Sequence, residues 1–180
     1  EQRTNWDFIQ SNIEEDDRFL NLFGYTGGAS LAARSVGAEV YHCDAVRQIN
    51  AWAKSNMEAS GLSDIRWVLD DALKFAQREF KRGNRYKGVI MDPPAFGIGA
   101  KKERWKIEQK FHELLEIALE ITDPGGFIIM NTYSPKLPAS KIKTALTELG
   151  VLDQSTVETL AMKTTTGKVL EYGELTRINR

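Results

Sequence analysis

A strand, a glycine-rich turn and a helix follow one another in Leu20-Asn21-Leu22-Phe23-Gly24-Tyr25-Thr26-Gly27-Gly28-Ala29-Ser30-Leu31. The apolar residues at its start predict a buried strand, and the small residues at its end predict the beginning of a helix. Glycines in the turn allow positive φ angles and let a ligand approach the backbone closely. Backbone N–H groups at the start of the helix are available to an anion or a carboxylate. The unit therefore predicts a ligand site at one edge of a parallel sheet.

Acidic residues follow the next two predicted strands at the same edge. Asp44 comes directly after the strand at residues 39–43, twenty residues beyond Gly24. A carboxylate at that spacing can accept hydrogen bonds from both hydroxyls of a ribose. Asp71 follows the strand at residues 65–69 and is placed to accept a hydrogen bond from an adenine amino group. Asp71 also suits the N-cap of the following helix, and the two roles are compatible.

A carboxylate and two prolines form the loop after a third apolar run. The run is Gly88-Val89-Ile90-Met91, and the loop is Asp92-Pro93-Pro94-Ala95-Phe96. The prolines remove two backbone donors, so the loop carbonyls and the carboxylate form an acceptor-rich edge beside a flat ring. This arrangement favours a planar ligand that carries N–H donors, such as a nucleobase. The alternative is a strand-ending turn with a solvated aspartate and a packed phenylalanine.

The glycine spacing helps to identify the nucleoside cofactor. A dinucleotide site has the pattern G-x-G-x-x-G, whereas the glycines here are Gly24, Gly27 and Gly28, so the G-x-G pair is missing. Ligand-facing positions after four successive strands fit S-adenosylmethionine (SAM) better than NAD. The predicted cofactor is therefore SAM.

Taken together, these motifs resemble the SAM-dependent ribosomal RNA methyltransferases that carry a Y-T-G-G turn and a D-P-P-x-F loop. The chain is most similar to the bacterial 23S rRNA methyltransferase group, which is cytosine-C5 or guanine-N7 methyltransferase-like. The resemblance covers nearly the whole chain and rests on residues 1–3, 21–28, 70–75, 92–97 and 105–108. RNA is the partner that the resemblance implies.

The resemblance also implies a fold and a set of site residues. The fold is α/β, a Rossmann-like class I methyltransferase with a mostly parallel seven-stranded sheet, helices on both faces and a C-terminal antiparallel hairpin. Family members carry an additional N-terminal RNA-binding region, so residues 1–180 are expected to be the methyltransferase domain of a longer protein. The cofactor contacts expected are Gln2, Asn21, Phe23, Gly24, Tyr25, Thr26, Gly27, Gly28, Asp44, Ala45, Asp71, Ala72 and Asp92.

One position departs from the cytosine-C5 members, which place a nucleophilic cysteine after the fifth strand. Tyr133 stands there, within Asn131-Thr132-Tyr133-Ser134-Pro135. C5 of a pyrimidine needs a thiolate adduct at C6 for activation, so cytosine-C5 chemistry is disfavoured. The single cysteine, Cys43, is interpreted as a small core residue rather than a nucleophile.

The composition is typical of a single intracellular enzyme domain, and a cytoplasmic location is expected. The chain has 180 residues, one cysteine, two histidines and a net charge of −1. It shows no long apolar run and no signal-peptide pattern, and the few histidines and cysteine form no convincing metal-ligand cluster. Because no overall positive field attracts nucleic acid, RNA binding by this chain alone is expected to be weak.

Two basic clusters are candidates for phosphate contact. One lies within residues 78–87 near the end of a predicted helix, where the macrodipole favours positive charge and a solvated face is the favoured interpretation. The other comprises Lys101, Lys102, Arg104 and Lys106 directly after the D-P-P loop, a position that favours phosphate contact. Trp105 is interpreted as an anchor for the following helix.

Alternating patterns predict helices at about residues 28–35, 45–60, 71–82, 102–121 and 139–149. Residues 123–126 are predicted as a tight turn before the strand at residues 127–130. Residues 156–163 and 168–178 are predicted as a terminal hairpin. Trp52 and Met57 are expected in the core.

The function predicted from these features is direct methyl transfer from SAM to a nucleobase of ribosomal RNA. Asp92 and the Pro93 carbonyl would orient N–H groups while Phe96 stacks the base, with the acceptor roughly 3–3.5 Å from the methyl group. A ring nitrogen such as guanine N7 needs no general base, and an exocyclic amine is the next candidate. Two alternatives stay open: a SAM-dependent methyltransferase of a small molecule or protein, and a nucleotide-binding module without catalysis.

Overall fold

The computed structural model describes residues 1–98 and 104–180, which form a seven-stranded sheet flanked by helices and a separate two-stranded ribbon. A short 3₁₀ turn at Leu152–Gln154 precedes the last two strands. In chain order the elements are α1 (Arg3–Asn12), β1 (Arg18–Leu22), α2 (Gly28–Arg34), β2 (Glu39–Asp44), α3 (Arg47–Ala59), β3 (Ile65–Leu69), α4 (Ala72–Lys81), β4 (Tyr86–Met91), β5 (Phe96–Ile98), β6 (Arg104–Lys106), α5 (Ile107–Ile121), β7 (Thr122–Thr132), α6 (Ala139–Glu148), β8 (Ser155–Lys163) and β9 (Val169–Asn179).

The main sheet has the strand order β3-β2-β1-β4-β7-β9-β8. In this sheet β3, β2, β1, β4 and β7 are parallel to one another, whereas β9 runs antiparallel to both β7 and β8. The chain first moves outward from β1 to β3 and then returns to place β4 on the other side of β1. In open sheets ligands bind at such a reversal, beyond the carboxyl ends of the strands. The predicted parallel sheet with a terminal antiparallel hairpin is confirmed.

Alternate residues of the central strands contribute to two hydrophobic layers, one on each face of the sheet. Leu20 and Leu22 of β1 belong to a core that includes residues of α4, α5 and α6. Phe19, which directly precedes Leu20 and so faces the other side of the sheet, belongs to the opposite core, which includes residues of α1 and α2. Because helices cover both faces, a ligand reaches the sheet at the strand ends.

Helix α1 was not predicted from the sequence. It occupies Arg3–Asn12 and buries Ile9 against the α2 side of the sheet. The signal for it was the pair Ile9 and Ile13, four residues apart, which is a helical spacing. Phe8 adds an edge-to-face contact with Phe127, at 5.2 Å between ring centroids.

Three further expectations differ from the structure. The helix predicted from residue 102 begins at Ile107, because Arg104–Lys106 pairs with Phe96–Ile98 as a ribbon; residues 102–103 lie outside the described residues. Residues 123–126 lie within β7 rather than in a turn before it, and their backbone exchanges hydrogen bonds with Arg180. Trp52 is 54% exposed instead of buried, because α3 packs through Asn50, Ala53 and Met57.

No helix within the described residues is long and apolar enough to cross a membrane.

Candidate active site

A cleft of about 760 Å³ lies beside the turn that follows β1, and the end of β4 forms one side of it. Residues of the N-terminal segment and of α3 complete its walls, including Arg3, Trp6, Asn56 and Ser60, none of which the sequence analysis singled out for a site. The predicted cofactor residues that line the cleft are Gln2, Asn21, Phe23, Gly24, Tyr25, Thr26, Gly27, Gly28 and Asp92.

Gly24 lies directly against a buried histidine. A Cβ atom on Gly24 would lie 2.3 Å from the His42 ring, so no larger residue fits without displacement. His42 Nδ1 lies 2.9 Å from Ser30 Oγ, which in turn accepts a hydrogen bond from Asn21 Nδ2 at 2.9 Å. Burial lowers the pKa of His42 to about 4, so its ring is neutral at neutral pH. This polar network packs against Gly24 of the turn through the His42 ring, and it was not predicted from the sequence.

The turn itself is built from left-handed backbone. Phe23 and Tyr25 adopt φ angles of 58° and 47°, and Gly27 adopts 91°. A non-glycine residue in this region costs on the order of 1 kcal/mol or more, so the surrounding contacts must hold it. One of those contacts is the Tyr25 N–H, which donates to Asp44 Oδ2 at 3.1 Å.

Asp44 accepts this hydrogen bond from the glycine-rich turn and does not line the cleft. Its other oxygen, Oδ1, accepts a hydrogen bond from Val46 N–H at 2.9 Å. Each carboxylate oxygen has a second lone pair, so these bonds leave capacity for a ribose hydroxyl. The predicted ribose contact of Asp44 stays a prediction, as does the predicted cofactor contact of the exposed Ala45.

Asp71 is the N-cap of α4, accepting a hydrogen bond from Lys74 N–H at 2.9 Å. This is the capping role that the sequence analysis considered beside adenine binding. Ala72 is buried at the start of the same helix. Neither residue lines the cleft, so their cofactor contacts stay predictions.

Asp92 lies at the carboxyl end of β4, largely enclosed by the protein. Its Oδ2 lies 3.4 Å from both Gln2 Nε2 and the Tyr133 hydroxyl. Its Oδ1 is buried and has no hydrogen-bond partner among residues 1–98 and 104–180. Burial raises the pKa of Asp92 to about 6, while the Tyr133 hydroxyl acts in the opposite direction. The solvated aspartate considered as an alternative is therefore not what the fold contains.

The groups beside Asp92 come from both ends of the chain. Gln2 donates to the Tyr133 hydroxyl at 2.8 Å, and its carbonyl oxygen accepts from Asn5 at 3.0 Å and from Asn131 at 3.3 Å. Arg177 of β9 donates to Asn5 Oδ1 at 3.0 Å. Tyr133, at the position of the expected cysteine, thus belongs to the setting of Asp92. Apart from Gln2, sequence reasoning did not find these partners.

The rest of the D-P-P loop combines a fixed part with an exposed ring. Pro93 is buried, and the carbonyl of Pro94 accepts a hydrogen bond from Trp105 Nε1 at 2.7 Å. The Trp105 ring also packs against Phe23, with 5.2 Å between centroids, so it contacts the loop and the glycine-rich turn. Its role as an anchor for the following helix stays a prediction. Phe96 is 56% exposed and not packed as the alternative required.

Cys43 is fully buried on β2, with its thiol 3.6 Å from the Asp70 carbonyl. Burial raises the pKa of the thiol to about 12, so the nucleophilic thiolate is absent at neutral pH. This agrees with its interpretation as a core residue. Within the described residues no three His, Cys, Asp or Glu side chains are placed to hold a metal ion.

The two predicted basic clusters differ in their surroundings. In the first, Arg78 forms an ion pair with Asp70, and Arg82 forms one with Glu79. In the second, Arg104 and Lys106 are exposed on β6, and Lys101 and Lys102 lie outside the described residues. Arg104 and Lys106 therefore place exposed positive charge on the strand that pairs with Phe96–Ile98.

No protein-family model matches the chain. The chain is similar to the ribosomal RNA large subunit methyltransferase I of Enterobacter sp. (strain 638), at 29% identity over 118 residues, which is 64% of this chain and 30% of that protein. The chain thus spans about 30% of the length of this curated relative.

Two solved structures match a larger share of this chain than the curated relative does. The SAM-dependent methyltransferase from Agrobacterium tumefaciens has a TM-score of 0.91 and 33% identity, covering 99% of this chain and 61% of that one. A proposed methyltransferase complexed with S-adenosylhomocysteine has a TM-score of 0.80 and 24% identity, covering 99% of this chain and 49% of that one, and shows the fold alone. These comparisons support SAM as the cofactor, and the chain has the Rossmann-like fold of SAM-dependent methyltransferases.

Proposed function

We propose that this chain is the catalytic domain of an rRNA methyltransferase, which transfers a methyl group from SAM directly to a ring or exocyclic nitrogen of a nucleobase. The observation that carries the proposal is Asp92 Oδ1, a buried acceptor without a partner in the described part of the chain. An unsatisfied buried acceptor costs about 1–3 kcal/mol, and an N–H donor on a bound base would remove that cost.

The cleft beside the glycine-rich turn fits SAM. Its volume of about 760 Å³ is within the usual range of small-molecule sites. Gly24, Gly27 and Gly28 of the turn line this cleft, and Asp44 holds the turn by accepting a hydrogen bond from the Tyr25 N–H. Bound SAM would supply an electrophilic methyl group on its sulfonium.

The residues around Asp92 support a positioning mechanism. Gln2 and Tyr133 hold Oδ2, which leaves Oδ1 to accept from the base. The exposed Phe96 ring is available to stack on the base, a contact that tolerates any base. Asp92, with its pKa raised to about 6 by burial, is mostly ionised at neutral pH and can accept the proton that an exocyclic amine must lose.

Tyr133 and Cys43 support transfer to nitrogen rather than to cytosine C5. A phenol replaces the thiol that C5 chemistry would need beside Asp92, and the single cysteine is buried in the core. The net charge of −1 gives this chain little overall attraction for RNA, so other parts of a longer protein would contribute to RNA binding. The proposed location is the cytoplasm, where ribosomal RNA is found.

The proposal is tested by titrating SAM, S-adenosylhomocysteine and NAD calorimetrically, and by measuring transfer of labelled methyl from SAM to ribosomal RNA. We expect both SAM and S-adenosylhomocysteine to bind. Asp92→Ala should lower methyl transfer by at least about 100-fold, the lower end for loss of a positioned catalytic group. Binding of NAD without SAM would refute the cofactor, and labelling of a small molecule or protein instead of RNA would favour that alternative substrate class.

A further inference from the structure

A second groove lies beside the active site, between the start of α5 and the segment after β7. It measures about 390 Å³. Its charged lining residues are Lys106, Lys136, Lys141 and Glu108, and Gln109, Pro135 and Pro138 complete the lining.

Both walls of this groove continue from residues of the candidate active site. Lys106 lies opposite Phe96 in the β5–β6 ribbon. Lys136 follows Tyr133 by three residues, and the Tyr133 hydroxyl contacts Asp92. A strand whose base is stacked on Phe96 would therefore lie beside Lys106, at one wall of the groove.

The positive charge of the groove is available to a ligand. The side chains of Lys106, Lys136 and Lys141 are exposed, and among the described residues none of them has a carboxylate within 4 Å of its ammonium group. Lys141 Nζ donates one hydrogen bond, at 3.1 Å, to the Lys136 carbonyl. Each ammonium group therefore keeps donors for an anion.

The single carboxylate of the groove already has a partner. Glu108 Oε1 accepts a hydrogen bond from Ser134 Oγ at 2.6 Å, which ties the start of α5 to the segment after β7. This hydrogen bond, with smaller contributions from Lys136 and Lys106, lowers the pKa of Glu108. Three lysines against one carboxylate leave the groove with an excess of two positive charges.

We propose that this groove binds the phosphate backbone of the RNA strand that carries the target base. The inference rests on the proposed function, because it assumes that a base reaches Asp92. Lysine is a point charge that suits phosphate without reading sequence, so the groove would position the strand rather than select it. An acidic protein segment would need the same charges but no stacking surface, and the neighbouring exposed Phe96 favours RNA.

The test compares two triple variants of equal net charge. K106Q/K136Q/K141Q removes the groove charges, whereas K54Q/K163Q/K168Q removes three exposed lysines on α3 and the β8–β9 hairpin, which do not line the groove. Binding of fluorescein-labelled, mixed-sequence single-stranded RNA is measured by anisotropy across a salt series. SAM affinity of each variant is measured by calorimetry as a check of folding.

We expect the groove variant to bind RNA about ten-fold or more weakly and to lose about 2 units of the log–log salt slope, since each phosphate contact with a single strand contributes about 0.7. The control variant should retain the slope. Equal losses in both variants, no salt-dependent binding by the unmodified chain, or stronger binding of a poly-glutamate peptide than of RNA would each overturn the groove proposal. Failure to bind SAM with RNA binding intact would instead overturn the proposed function.

Discussion

The two carboxylate oxygens of Asp92 are not equivalent, and their neighbours cause the difference. Oδ2 faces Gln2 and Tyr133 at 3.4 Å, a long distance for a hydrogen bond, whereas Oδ1 is buried without a partner in the described residues. Contacts of this length in a ligand-free site commonly shorten when the ligand binds. In the proposed function, Oδ1 would therefore accept from the substrate, while Oδ2 faces groups of the protein.

Tyr133→Phe should shift the pH dependence of methyl transfer. The Tyr133 hydroxyl lowers the pKa of Asp92, which burial has raised to about 6, so removing the hydroxyl should move that pKa upward. If the ionised carboxylate is the active form, the rising limb of the pH–rate profile should move to higher pH, while activity well above it changes little. An unchanged profile with a reduced plateau would show that Tyr133 acts only through packing.

Cys43→Ala should leave methyl transfer nearly unchanged. The thiol is buried and its pKa is raised to about 12, so no thiolate is available to form an adduct. The variant leaves only a small cavity in the core and should cost about 1 kcal/mol of unfolding free energy. The chain should also fail to form a stable adduct with RNA containing 5-fluorocytosine, and an adduct seen on a denaturing gel would contradict direct transfer.

The turn after β1 depends on β2 for its shape. Gly24 lies against His42, so the imidazole ring from β2 fills the space that a side chain on Gly24 would need. Gly24→Ala should lower the free energy of unfolding by about 1–3 kcal/mol, the usual range for overpacking, and weaken SAM binding. Urea denaturation and calorimetry measure the two effects.

A double-mutant cycle separates steric conflict from a general loss of order at this turn. His42→Ala alone should also destabilise the fold, because it removes one of the two hydrogen-bond partners of the buried Ser30 hydroxyl. If the conflict is steric, the double variant should be more stable than the sum of the two single losses predicts. Strict additivity would show that the alanine disturbs the turn through some other contact.

Elements whose pattern is local were predictable from the sequence, and elements that depend on distant partners were not. The strands at β2 and β4 and the helix α4 follow from apolar runs and periodicity. Residues 104–106 read as helix because of their neighbours, yet they form a strand because Phe96–Ile98 lies opposite them. Residues 123–126 look like a turn locally, but their backbone pairs with Arg180 at the far end of the sequence.

In the candidate site too, residues in local motifs were predicted from the sequence, whereas their long-range partners were not. Asp92 and the glycine-rich turn carry local motifs, and both lie at the cleft. The partners of Asp92 carry none: Tyr133 was noted only for what it replaces, and the contribution of Asn5 depends on how α1 docks. Long-range side-chain contacts of this kind leave no trace in local periodicity.

On the scale of the whole molecule, the last strand of the sheet fixes the first helix. Arg177 of β9 donates to Asn5 and lies over the Phe8 ring, at 4.9 Å from its centroid. Asn5 in turn holds Gln2, which contacts Asp92. The orientation of Asp92 thus depends on a strand that does not line the cleft.

Arg177→Gln should loosen α1 and reduce methyl transfer without abolishing SAM binding. Loss of a hydrogen bond from a charged group costs about 1.5–3 kcal/mol, and the effect should appear as faster hydrogen exchange across residues 3–12. Arg66→Gln is the matched control, because Arg66 forms its ion pair with Glu39 on β2. Equal exchange of α1 in both variants would show that Arg177 does not hold it.

The hydrogen bond between Arg177 and Asn5 joins residues 172 positions apart, and that between Gln2 and Tyr133 spans 131. Contacts of such separation form late during folding, because the entropy of closing a long loop is lost before they give any stabilisation. The central strands can therefore assemble while Asp92 still lacks its partners. Competence for methyl transfer would then appear only in the last kinetic phase of refolding, which makes activity a reporter of complete folding rather than of sheet formation.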